Sequence, residues 1–356
     1  MSRDIPNINV KYFGEIGSYD GDFSTLFILF LPQVKLMKPI ALSKRYQFDL
    51  IDEIRDIDFL RRAVNAYYAN GGDRLYLLFY QIDESFNILK FDNFLSKSCD
   101  RLNDIETISA INLYDDTIYK KLISIRDILE IQRVINDYCE RSHRVSISDV
   151  DSDFKKEYLN IIGRTNIYYP WIADSKDSRL PPSIYVAALF SKIAKVDRYF
   201  ESIANRPLFN CRDVDLRLDD RELMELTKEG INPLIFMPHR GIMIWGVKCF
   251  NESFDSVNEL RVMKYIKRRV IKSSRVYIFE VNNPFLEAQI ILMLKVFLDH
   301  LEKIGALESY NIGRDDSSMQ RDNEIVINIE IALSSPIEFI NIRYYKSDKD
   351  GVVSIV

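Results

Sequence analysis

The sequence predicts an α/β chain, α+β taken whole, with a largely parallel sheet in its first half and a mixed domain after it. Three observations carry this. Leu75 to Tyr80 is a continuous apolar run, which fits a strand covered on both faces. Amphipathic helical stretches alternate with such runs between about residues 50 and 150, the spacing of a parallel layer with its crossovers. At 356 residues the chain exceeds what a single core usually serves, so two domains are expected.

Taken in order, Ile8, Val10 and Tyr12 alternate with Asn7, Asn9 and Lys11, the period of a strand, before Gly14, Gly17 and Gly21 break it. Leu26 to Leu31 is a run of strand formers closed by Pro32. Residues 52 to 69 place Ile54, Ile57, Leu60, Val64 and Tyr67 on one helical face, and Asn70-Gly71-Gly72 ends that helix. A second helix is expected over 117 to 141, leading into a strand from Arg144 to Val150. Pro170, Pro181 and Pro182 mark a boundary region, with a helix over 183 to 197 beyond it. Residues 206 to 250 read as strand-rich around one helix near 219 to 229.

A helix over 258 to 272 follows, and Asn283-Pro284 supplies a cap and first-turn proline for another that stops before Gly305. Leu286, Ile290, Leu294, Phe297, Leu301 and Ile304 give that helix an apolar stripe. The last fifty residues return to strand. Ile325, Ile327, Ile329 and Ile331 alternate with their neighbours, Ile337 to Tyr344 is a further candidate, and the chain ends on Val352-Val353-Ser354-Ile355-Val356. The division expected is a strand-patterned segment at 1–22, an α/β domain at 23–165, a mixed domain at 166–344 and a strand-patterned end at 345–356.

Composition narrows the function. With 47% hydrophobic and 28% charged residues the chain is an ordinary globular protein. A net charge of −5 argues against a surface built for nucleic acid. Cys99, Cys139, Cys211 and Cys249 are far apart and form no CxxC pair, so free thiols in a reducing compartment are expected. The opening MSRDIPNINV lacks a signal-peptide core, and the most apolar segment, Ile290 to Leu298, holds Lys295 and is too short to span a bilayer. A protein made and kept in a cytoplasm, without membrane insertion, is the expectation.

Chemistry is sparse. Pro238-His239-Arg240-Gly241 lacks the second acid or base that a histidine nucleophile needs. Cys139 and His143 stand four apart, but zinc needs two more ligands. Asp149, Asp151 and Asp153 at a strand end resemble enzyme carboxylates, yet no GxGxxG or GxxxxGK loop accompanies them, and capping the following helix explains them better. No catalytic residue, metal or cofactor is therefore expected. Both ends, in contrast, are apolar and strand-patterned, where chain ends are usually polar and loose. Unpaired strands of that kind invite pairing. They pair either within their own domain or with neighbouring copies by β-augmentation, with Ile8, Val10, Tyr12, Val352, Val353 and Ile355 as the strand residues.

The stretch GINPLIFMPHRGIMIWGVKCF over 230 to 250 resembles the signature of contractile tail-sheath proteins. Gly230, Ile231, Asn232, Arg240, Gly241, Ile242, Trp245 and Gly246 stand at its turn, strand, turn and tryptophan-glycine positions. Asn70-Gly71-Gly72 with Arg74, Tyr168 through Pro170, Ala204-Asn205-Arg206-Pro207-Leu208, Phe279 to Pro284, Gly305-Ala306-Leu307 and Ser335 to Ile340 are similar to further family segments in the same order. The chain departs from the pattern near Leu286, where a tryptophan is often found, and in its opening Ile5-Pro6-Asn7-Ile8. Its length is similar to the compact sheaths of pyocin-like and extracellular injection particles.

The resemblance implies a structural subunit that stacks with itself in rings, six-fold in the family, around an inner tube. It implies contacts with baseplate and terminator components and with sheath paralogues, and a shortening of the lattice that drives the tube through a target envelope. Arg261, Lys264, Arg268 and Lys272, spaced by three or four along one helix, are then expected to face an acidic tube wall. A solvated face and a nucleic-acid surface are the other readings of that stripe. The alternative function is an α/β metabolic enzyme with its site at the carboxyl ends of 75–80 and 144–150.

Overall fold

The structure, a computed structural model, describes residues 23–33, 38–82, 86–115, 122–151, 156–163, 165–174, 178–195, 198–250, 254–314, 325–335, 344–348 and 351–355. Ile8, Val10, Tyr12 and Asp153 lie outside the described residues, as does most of the strand candidate at 337–344. In chain order the elements are β1 (Ser24–Leu31), β2 (Ile40–Leu42), α1 (Asp58–Ala69), β3 (Leu75–Gln81), α2 (Ile88–Cys99), β4 (Ile105–Ala110), α3 (Ile125–Arg141) and β5 (Val145–Asp149). There follow α4 (Leu159–Ile162), β6 (Asn166–Tyr169), β7 (Ile172–Ala173), β8 (Arg179–Leu180), α5 (Pro182–Ala194), β9 (Asp213–Val214), α6 (Asp220–Lys228), β10 (Ile231–Met237) and β11 (Gly241–Ile244). The chain closes with α7 (Val257–Ser274), α8 (Pro284–Lys303), β12 (Leu307–Arg314), β13 (Ile327–Leu333), β14 (Tyr344–Asp348) and β15 (Gly351–Ile355).

The α/β class is borne out. One eight-stranded sheet runs β11-β10-β6-β5-β4-β1-β3-β2, and its six inner strands are parallel. The antiparallel partners β2 and β11 close its two sides. Its strands are apolar on both faces because both are covered. Phe27, Leu29, Leu75, Leu77 and Phe79 pack towards α1 and α5, while Leu26, Ile28, Phe30 and Leu78 pack towards α2 and α3. The helix α2 and strand β4, which the sequence reading left unassigned, supply one of the crossovers. The helix expected from 52 begins only at Asp58, after single turns over Asp52 to Asp56.

The sheet runs unbroken across the division expected at 165/166, because β6 pairs with β5 on one side and β10 on the other. What separates from it is the C-terminal unit. There α7 and α8 pack with the β12–β13 hairpin around Val262, Tyr265, Ile266, Leu294, Phe297, Leu298, Leu301 and Ile329. Asn283 caps α8 as its sequence promised, accepting from the N–H groups of Phe285 at 3.0 Å and Leu286 at 2.8 Å.

Candidate assembly surfaces

The signature residues form one brace at the β10–β11 end of the sheet. Gly230 ends the α6 turn at φ 78°, a conformation open to glycine, and delivers the chain into β10. Ile231 and Ile242 are buried, and Gly241 starts β11. Asn232, fully buried, ties the backbone of Lys248 and Ile167 together through its amide. Arg240 is exposed and donates to the side-chain and main-chain oxygens of Asn205 at 2.8 and 3.2 Å. The segment 204–208 in turn pairs with β11, Asn205 N–H donating to Ile244 O and Leu208 N–H to Ile242 O. Two family-like stretches are thus one physical feature. Trp245 stays 44% exposed beside it.

Arg261, Lys264 and Arg268 do not face outwards, which corrects the expectation that they meet a tube. The Arg261 and Glu106 side chains are each 1% exposed and joined by two bonds, 3.0 and 3.1 Å long. Lys264, buried, donates to Glu140 at 2.5 Å and to the Arg144 carbonyl at 2.7 Å, and Arg268 donates to the His143 carbonyl at 2.7 Å. Met263, Ile266 and Val270, on the other side of α7, are buried as well. The first part of the helix is enclosed on both faces, so these three cations point at the sheet's flank. Lys272, one turn further on, is exposed.

The uncovered surface lies just beyond. Val276, Phe279, Val281, Phe285, Leu292 and Val296 are 62 to 86% exposed, a run of large apolar side chains confined to twenty-one residues. Between the end of α7 and α8 an open groove of about 740 Å³ is lined by Arg269, Ser273, Tyr277, Leu292, Val296 and His300. Exposed Lys272, Arg275 and Lys295 flank it. Such a patch on a protein surface marks a contact site. Next to it, among the described residues, β12 and β13 pair only with each other, as do β14 and β15. Val352, Val353 and Ile355 therefore sit in a ribbon facing Ser347, Lys346 and Tyr344, apart from the other sheets.

Burial pushes the thiols of Cys99, Cys139 and Cys249 up to about 12 and that of Cys211 to about 11, which keeps them protonated. Cys139 lies in the last turn of α3 while His143 lies past the helix at φ 56°, and among the described residues no three His, Cys, Asp or Glu side chains gather as metal ligands. His239 sits in the turn between β10 and β11 at φ 67°. Asp149 is buried and bonded to the Ser183 N–H and hydroxyl at the start of α5, where Pro181 supplies no side-chain cap. Burial raises its carboxyl to about 7. Asp151 pairs with Arg179, which also bridges Asp215 and lies 4.7 Å from the Trp171 ring centre. No helix among the described residues is long and apolar enough to cross a membrane.

Comparison with known proteins agrees with the family read from the sequence. Residues 250–346 match the phage tail sheath C-terminal domain. The tail sheath protein of Vibrio phage KVP40 is 24% identical over 145 residues, which are 39% of this chain and 21% of that protein's length. In fold, the helical sheath of the anti-feeding prophage in its contracted state has a TM-score of 0.74 at 18% identity, over 97% of this chain and 100% of that one. The contracted sheath of an extracellular contractile injection system gives 0.75 at 17% identity, over 98% and 99%. A sheath tail protein from Listeria innocua gives 0.57 at 10% identity, over 90% and 96%.

Proposed function

We propose that this chain, of the contractile tail-sheath family by its C-terminal domain and its fold, is a structural subunit of a contractile sheath. Copies stack as helical rings around an inner tube, and the lattice shortens to drive that tube through a target envelope. The observation that carries the reading concerns residues 250–346. The segment matching the phage tail sheath C-terminal domain also carries the exposed apolar ridge and, among the described residues, the separate two-stranded sheet β12–β13, and the β14–β15 ribbon follows at its end.

In this reading the open strands take partners from neighbouring copies. Each backbone hydrogen bond contributes about 0.5–1.5 kcal/mol, a modest sum per arm that a lattice repeats at every subunit. The ends at 1–22 and 345–356 are the arms that link copies. The tube, with an acidic wall, lies against the ridge at 276–296, whose flanks carry Lys272, Arg275 and Lys295 in place of the buried stripe. Baseplate and terminator components meet the ends of the same stack. Work comes from the difference between two packings of one sequence, so no nucleotide and no catalytic residue is required. The enzyme alternative finds no support, since Asp149 at the end of β5 is occupied in holding α5.

Negative-stain microscopy of the purified protein, alone and with its tube, tests this. Rings or striated tubes are expected. A uniform small particle that binds a nucleotide would count against the reading.

A further inference from the structure

Beside the apolar contacts of Val257 and Leu260 with the α/β core, charge pins the joint between the C-terminal unit and the α/β layer. Arg261 approaches Glu106 with both prongs, stacks its guanidinium 4.0 Å from the Phe190 ring centre, and spends further protons on the carbonyls of Phe190 at 3.3 Å and Tyr199 at 3.4 Å. One turn on, Lys264 reaches Glu140 and Arg144 O, and one turn beyond that Arg268 reaches His143 O. Three pegs thus lie along about 10 Å of α7, at a rise of about 1.5 Å per residue. They enter two separate places, strand β4 and the turn between α3 and β5.

Burying an ion pair gives little net stability, because desolvation offsets the Coulomb attraction, and apolar residues of like volume often do as well. Direction is what the pair adds. Apolar contacts such as Phe23 on Tyr199 and Tyr265, at 5.6 and 5.4 Å, tolerate sliding and rolling. A two-pronged guanidinium–carboxylate bond fixes angle and register together.

We infer that Arg261 with Glu106, seconded by Lys264 with Glu140, are positioning residues that lock the orientation of the C-terminal unit on the α/β layer. The subunit then moves as one body when its neighbours shift, a consequence that rests on the sheath reading. The lock itself does not, and it is tested on the isolated chain. Spin labels at Lys97 on α2 and Lys295 on α8, both exposed, report the distance between the two parts once Cys211 is replaced by serine. The otherwise unchanged chain gives one narrow distance. Glu106→Met with Arg261→Met keeps its Tm but broadens or displaces that distance, and a distribution as narrow and as centred as before overturns the inference. Should that double variant not fold, Arg261→Lys reads the same quantity, since it keeps the charge and loses the fork. Broadening is expected, and an unchanged width overturns the inference equally. Failure of the unaltered chain to build tubes would sink the sheath reading without touching these distances.

Discussion

Asn232 holds Lys248 by both of its backbone groups: Oδ1 accepts the Lys248 N–H and Nδ2 donates to the Lys248 carbonyl, each at 2.7 Å. The same Nδ2 also donates to the Ile167 carbonyl at 3.1 Å. A side-chain amide is here doing the work of a missing strand. Gly246 permits the approach, since a Cβ there would stand 2.7 Å from Asn232 Oδ1 and 3.1 Å from its Cα.

Asn232→Ala should therefore destabilise the chain by about 2–3 kcal/mol, the loss of several buried bonds with donor and acceptors left unmet. Gly246→Ala should act in the same direction, by forcing the amide off its partners. Urea unfolding midpoints measure both. An effect of Asn232→Ala below about 0.5 kcal/mol, the range of ordinary surface changes, would show that the brace is dispensable.

Asp149 predicts a pH dependence. Its carboxyl is raised from 3.8 to about 7, first by burial, with the Ser183 donors pulling the other way. The folded chain thus keeps a proton that the unfolded chain releases near pH 4. The contribution to stability is complete below that pH and is lost as pH rises through about 7. Asp149→Asn copies the protonated shape without titrating, so the Tm of the original should fall relative to this variant between pH 5 and 8. Parallel Tm–pH curves refute the assignment. Asp149→Leu leaves the Ser183 donors unmet and should cost about 1–3 kcal/mol at pH 5, a cost relative to the original chain that shrinks as pH rises through about 7.

The exposed ridge should matter to assembly and little to folding. Phe279, Phe285 and Val296 are 86, 72 and 62% exposed, so serine at any of them should change stability by no more than about 0.5 kcal/mol. All three together should abolish tubes seen by electron microscopy while the Tm stays put. Normal tubes from the triple variant would remove the ridge from the interface.

Deleting residues 1–20 or 345–356 should leave a folded monomer, because the eight-stranded sheet is built between Ser24 and Ile244. Each truncated chain should melt as before by circular dichroism yet fail to extend into filaments. Filaments of ordinary length from either one would argue against arms shared between copies.

Much of the fold follows from local rules that the sequence states openly. Leu75 to Tyr80 announces a doubly covered strand, Asn283-Pro284 a helix start, and Gly230 the turn into β10, because each depends on residues a few positions away. The order of family-like segments was equally legible. Which side of α7 looks outward was not. Helical spacing says that Arg261, Lys264 and Arg268 share a face, but the carboxylate that draws Arg261 inward is 155 residues distant, in a strand the sequence reading left unassigned. The continuity of the sheet across 165/166 was hidden for a like reason, since β6 joins β5 and β10 through hydrogen bonds that no local pattern records. The α8 stripe, in contrast, was legible: Leu286, Leu294, Phe297 and Leu301 within it are buried, while Leu292 and Val296 outside it are exposed. Sequence alone determined many of the helices and strands, α2 and β4 excepted, and which family they resemble; only tertiary packing decided which faces of α7 are spent inside and which surfaces are left for a partner, because burial depends on neighbours brought together from far along the chain.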